Sequence, residues 1–118
     1  MSKPSVLIEK IQKRREFHVE LVPAEGSAAQ KRVLLRRPPE AEWQHSIGLD
    51  YLCRYTHGWS GFTEADLYAG GGSDEVEFDA ALWREVLADR ADWIVKCADA
   101  VVQAMTTRAA ERKAAEGN

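Results

Sequence analysis

Two adjacent prolines, Pro38 and Pro39, divide this chain more sharply than any other feature. Neither has a backbone N–H to donate, and each biases its predecessor away from the helical region, so strand pairing stops there and no helix interior runs through. The segments on either side follow different periods.

Ahead of the prolines, "REFHVELVP" alternates Phe17, Val19 and Leu21 with His18 and Glu20, the two-residue period of a half-buried strand. Pro23 ends it, "AEGSAAQ" supplies loop residues, and "KRVLLRR" reads as the returning strand. A β-hairpin over 16–37 is expected. Upstream, "PSVLIEKIQKRRE" places Leu7, Ile8 and Ile11 on one helix face behind a proline suited to a first turn. A short helix is the reading, with a strand as its rival.

Beyond the prolines the spacing becomes three- and four-residue. Trp43, Ile47, Leu49, Tyr51, Leu52 and Tyr55 predict an amphipathic helix from about Pro39, with Gly48 weakening its middle and Gly58 placed to end it. Thr63 and Asp66 resemble a cap pairing that opens one helical turn. "YAGGGSDEVE" reads as the most flexible stretch, since three consecutive glycines carry no side chains to hold them. Helical spacing resumes through Leu82, Val86 and Leu87, with Asp79 as a capping residue. After a break at 89–92 it continues through Ile94, Cys97, Ala98, Val101, Val102 and Met105. Past Met105 the apolar stripe runs out, and 106–118 is expected to be a mobile basic and alanine-rich tail. The expected fold is α+β, with the hairpin followed by a helix-dominant body of about three helices over 39–105. A chain of 118 residues makes one domain of it.

Charge is distributed unevenly. Residues 1–37 carry nine Lys or Arg against four Glu, and residues 38–118 carry seven against fifteen acids. Such polarity suits self-association or an oppositely charged partner. Nucleic acid is not expected as a partner, because the basic residues alternate with glutamates and lack stacking aromatics beyond Phe17. No apolar run approaches the roughly 20 residues of a membrane span. The basic cluster also follows the first apolar run, the reverse of a secretory signal, so a cytoplasmic location is expected.

Candidate chemistry is sparse. Cys53 and His57 stand four apart on the same predicted helix, a spacing two zinc ligands can use, yet His18, His45 and Cys97 lie in separate elements with no further paired ligand motif. The bland reading is a small apolar thiol beside a histidine at a helix C-terminus. "AGGGSDE" lacks the Lys–Ser/Thr of a phosphate-binding loop and is followed by acids, so it reads as a linker. Asp74 with Glu75 and Asp89 with Asp92 read as caps and solvated faces. No cofactor or metal is expected.

Four tryptophans remain. Trp43, Trp83 and Trp93 read as rings half-buried along helices. Trp59 differs, because Gly58 and Gly61 bracket it in "HGWSGF" and a turn presents its ring. It either plugs a gap between hairpin and helices or stands exposed as an interface anchor.

The order of these segments resembles the small tail assembly chaperones of long-tailed bacteriophages and prophages. Gly58, Trp59, Gly61 and Phe62 match a "V-x-G-W-x-G-V"-like segment after a helix, and Phe78, Leu82, Val86 and Leu87 match a later "FS-x-x-x-L-x-x-L-L"-like segment. The likeness spans roughly 30–115. It departs at His57, where an apolar residue is commoner, and in the longer glycine loop. The resemblance implies a non-enzymatic protein that binds the tape measure protein, keeps it soluble until tail tube subunits polymerise, and is absent from the finished virion. Trp59, Phe62, Gly58 and Gly61 would then contact the partner. The rival classes are a small metal-binding or hydrolytic enzyme using Cys53 and His57, and a regulatory interaction module.

Overall fold

The computed structural model describes residues 1, 3–43 and 47–117. Among them the elements run α1 (Pro4–Arg14), β1 (Glu16–Val22), β2 (Lys31–Arg36), a 3-10 turn (Glu40–Glu42), α2 (Leu49–Tyr55), β3 (Thr56–Ser60), α3 (Glu64–Leu67), α4 (Ala80–Ala88) and α5 (Ala91–Glu116). The α+β class holds. α1 forms as the short helix read from its spacing, the body has four α-helices (α2–α5) rather than about three, and the sheet has a third strand.

The hairpin forms as its alternation dictates. Phe17 faces Leu35 and Val19 faces Val33, while Val19, Leu21, Val33 and Leu35 turn into the core. Glu25 and Ala28 exchange backbone hydrogen bonds of 3.2 and 2.9 Å across the tip, with Gly26 at φ +58° supplying the turn. β3 then adds antiparallel to β2, placing Trp59 opposite Val33 and Gly58 opposite Leu34, to give the order β1-β2-β3.

The long helix expected from Pro39 does not form. Among the described residues a 3-10 turn follows the prolines, and α2 starts at Leu49 with Gly48 extended at its N-cap. An interior glycine costs a helix about 1 kcal/mol relative to alanine, and here Gly48 begins the helix rather than weakening its middle. Trp43 therefore lies off any helix. His45, a candidate ligand, falls outside the described residues. Gly58 does not end α2 either, because the chain turns extended at Thr56 and runs directly into β3.

The cap readings hold. The Asp66 carboxylate accepts from Thr63 N at 2.7 Å and Thr63 Oγ1 at 2.9 Å, and Asp79 accepts from Leu82 N at 2.9 Å. The glycine loop is tied down, contrary to the flexible reading. Val76 N donates to Phe62 O, Glu64 N to Asp74 O and Ala65 N to Gly72 O, at 2.9, 3.1 and 3.0 Å, so 72–76 runs back along 62–65. A Cβ on Gly71 would stand 2.5 Å from Glu64 O, which explains why this approach needs glycine.

The core lies between the inner sheet face and α2, α4 and α5. Trp83 and Trp93 are fully enclosed within it, not half-buried along helix surfaces. α5 contributes Trp93, Cys97, Val101 and Met105, one per turn, and Lys96 Nζ donates to Leu21 O at 2.9 Å. Beyond Met105 the helix continues to Glu116 with no buried residue, and Arg112 pairs with Glu40 at 3.1 Å.

Gly61 and Gly58 make a direct test of this geometry. Gly61 has φ +84° and its hypothetical Cβ lies 2.0 Å from Gln30 O, whereas that of Gly58 meets Leu34 Cβ at 3.9 Å, an ordinary contact. Gly61→Ala is expected to lower stability by about 2 kcal/mol or more, and Gly58→Ala by less than about 1 kcal/mol, in urea denaturation.

Candidate interaction site around Trp59

The residues of "HGWSGF" divide between a strand and the turn that leaves it. β3 carries Gly58 and Trp59 on opposite faces of the sheet, since neighbours in a strand alternate. Gly61 breaks the strand with its positive φ, and Phe62 drops into the core with no exposed surface.

Trp59 is half-buried. Its ring stacks on Phe62 with centroids 4.5 Å apart, and meets Phe78 and Trp83 edge-on at 5.4 and 6.1 Å. Nε1 donates to Val76 O at 2.8 Å, so the polar end of the indole is satisfied by the folded-back loop. Phe62 is thus the plug, and part of the Trp59 ring remains exposed. On the outer face, His18, Leu34 and Gly58 share one rung across the three strands. The missing side chain at Gly58 leaves a hollow of about 180 Å³, which Arg32 and Ser60 also line.

The proposed Cys–His pair is separated by the fold. Cys53 belongs to α2 and His57 to β3, not to one helix. Burial raises the Cys53 thiol above its ordinary range, against the opposing influence of Arg84. Desolvation, followed by the Arg36 charge, lowers His57. Cys97, enclosed by the core, is pushed up to about 12. Burial thus favours the thiol over the thiolate at both cysteines. His18 sits on the outer sheet face, and among the described residues no three His, Cys, Asp or Glu side chains gather where a metal could be held.

Two surface features lie outside the candidate residues around Trp59. The first is a cleft of about 400 Å³ between the start of β1 and α5, where Arg14, Arg15, Arg37 and Arg108 stand over Phe17 and Ala104. Arg37 is lowered by burial and then by Arg108 and Arg15, and Arg15 Nε is buried without a hydrogen-bond partner among the described residues. The signal was present as the doublets Arg14–Arg15 and Arg36–Arg37, which antiparallel pairing of Glu16 with Arg36 brings to one end of the hairpin. The second is α1, none of whose described residues is buried although Leu7, Ile8 and Ile11 are 44–56 % exposed apolar side chains.

No family model, curated protein or solved structure matches this chain. The fold class and the geometry above are therefore its description, and function rests on the residues themselves.

Thiol reactivity reads out the two cysteine environments. With Ellman's reagent at neutral pH, native protein is expected to release one equivalent slowly, from Cys53, and the second only on unfolding. Cys97→Ser should abolish the second phase, while prompt release of both would contradict the burial of Cys97.

Proposed function

We propose that this protein is a non-enzymatic tail assembly chaperone of a phage or prophage, which binds the tape measure protein in the host cytoplasm and keeps it soluble while tail tube protein assembles around it. The observation that carries the reading is a surplus of apolar side chains left in water on a body that is 30 % charged. Val6, Leu7, Ile8 and Ile11 on α1, Tyr68, and Val95 and Val102 on α5 are all between 41 and 58 % exposed. A protein that holds a long apolar client needs such contacts spread over a soluble surface.

The resemblance of the Gly58–Phe62 and Phe78–Leu87 segments supplies the family, and their packing is compatible with it. Phe78 and Phe62 both touch the Trp59 ring, so the two segments build one structural unit. In this reading Trp59 and the Gly58 hollow contact the client directly, whereas Phe62 and Gly61 position them. Several copies would coat one client, with self-association helped by the opposed charges of the two halves.

If the reading is right, a large coiled-coil-rich protein is encoded beside this one, and co-expression with it is the test. A soluble complex is expected, and an insoluble client with no complex would refute it. Gly58→Val fills the hollow with a residue suited to a strand. It should leave the melting temperature close to that of wild type and reduce client capture roughly tenfold, about 1.4 kcal/mol. Undiminished capture would place the contact elsewhere on the chain.

A further inference from the structure

Two surfaces of this chain are complementary and do not meet within one molecule. α1 presents Leu7, Ile8 and Ile11 on one side, and Lys10, Lys13 and Arg14 beside them, with none of its described residues buried. An apolar helix stripe left in water is normally covered by something, because removing side chains of this size from water is favourable. A groove of about 500 Å³ opens between α3 and α4. Leu67, Tyr68, Leu82 and Val86 line it, with Tyr68 57 % exposed, and Glu85 and Asp89 stand along its wall. Arg90 also borders it, but its guanidinium is engaged by Asp92 at 2.9 and 3.0 Å and lies 3.7 Å over the Trp93 ring.

We propose that α1 of one copy docks in the α3–α4 groove of the next. The helix is basic and apolar, and the groove is acidic and apolar, so the pair satisfies both the hydrophobic and the electrostatic requirement of a helix-in-groove contact. α1 runs through Arg15 into β1, one edge of the sheet, whereas the groove follows β3, the opposite edge. The helix and the groove share no residue, so each copy offers two different surfaces. The contact is head-to-tail, and it extends into a ring or a filament depending on the rotation between copies. The contact would cover Leu7, Ile8, Ile11 and Tyr68, leaving Trp59, Val95 and Val102 to meet a client, and its test uses purified protein alone, so its failure is distinguishable from failure of the chaperone reading.

Two variants disable one surface each without touching a buried side chain. Leu7→Glu with Ile11→Glu spoils the helix, and Glu85→Lys with Asp89→Lys reverses the groove; all four positions are exposed. Circular dichroism and melting temperature matching wild type establish that both fold. In sedimentation velocity on purified protein, wild type should grow in mass with concentration, and less so at high salt. Each variant alone should remain at monomer mass. Mixed in equal amounts, they should form a heterodimer and nothing larger, since the intact helix of the groove variant meets the intact groove of the helix variant. Wild type that stays monomeric to its solubility limit would overturn the proposal. So would either variant associating like wild type, or a mixture that remains monomeric or passes beyond a dimer.

Discussion

The indole N–H of Trp83 has to be satisfied inside a closed core, and the way this is done organises the molecule. Nε1 donates to Thr56 Oγ1 at 3.1 Å, and that hydroxyl donates onward to Leu52 O at 2.8 Å. A buried donor left without a partner costs about 1–3 kcal/mol, so Thr56 is held to one rotamer and α4 to one position over it. Thr56 is both the residue after α2 and the first of β3, which makes this relay the point where helix, strand and helix are aligned. Around it Phe62, Trp59 and Trp93 close the aromatic cluster, with Trp83 and Trp93 stacked at 6.4 Å.

What was legible in the sequence was local. The alternation of Phe17, Val19 and Leu21 could be read because burial on one sheet face imposes it directly. Thr63 with Asp66, and Asp79 ahead of Leu82, could be read because a cap is satisfied within three residues. β3 was not legible. Its five residues include a histidine and a glycine and show no apolar alternation, and what makes them a strand is a partner more than twenty residues earlier, Val33 facing Trp59. The segment 39–48 misled in the opposite direction, having helical spacing and acids in the right place but Gly48 where continuity was needed.

The glycine run shows how composition can point away from structure. Three glycines suggest freedom, yet they are what permits 72–76 to lie against 62–65, since a side chain at Gly71 would collide with Glu64 O. The same fold-back delivers Val76 O to the Trp59 indole and Phe78 to its ring. Of the residues marked out around Trp59, the sequence could assign the aromatic turn but not its sides, because burial of Phe62 and exposure of part of Trp59 depend on a loop that only tertiary structure brings near. The arginine cleft was hidden for a related reason: its members are distant in sequence and meet through hairpin register and the passage of α5.

The direct passage from Tyr55 to Thr56, with no linking residue between α2 and β3, leaves only the register shift at His57, between Thr56 and Gly58, to take up a change in length. Adding or removing one residue in a helix rotates everything after it by about 100°, and in a strand it exchanges the two faces. At most junctions a loop absorbs such a change. Here it would carry Trp59 to the solvent side and bring His57 inward, and Thr56 would no longer stand beneath Trp83. The join is thus a phase lock between two periodicities, and over evolutionary time length variation in this protein is expected to collect at the hairpin tip and at the end of α5 rather than anywhere between Leu49 and Phe62.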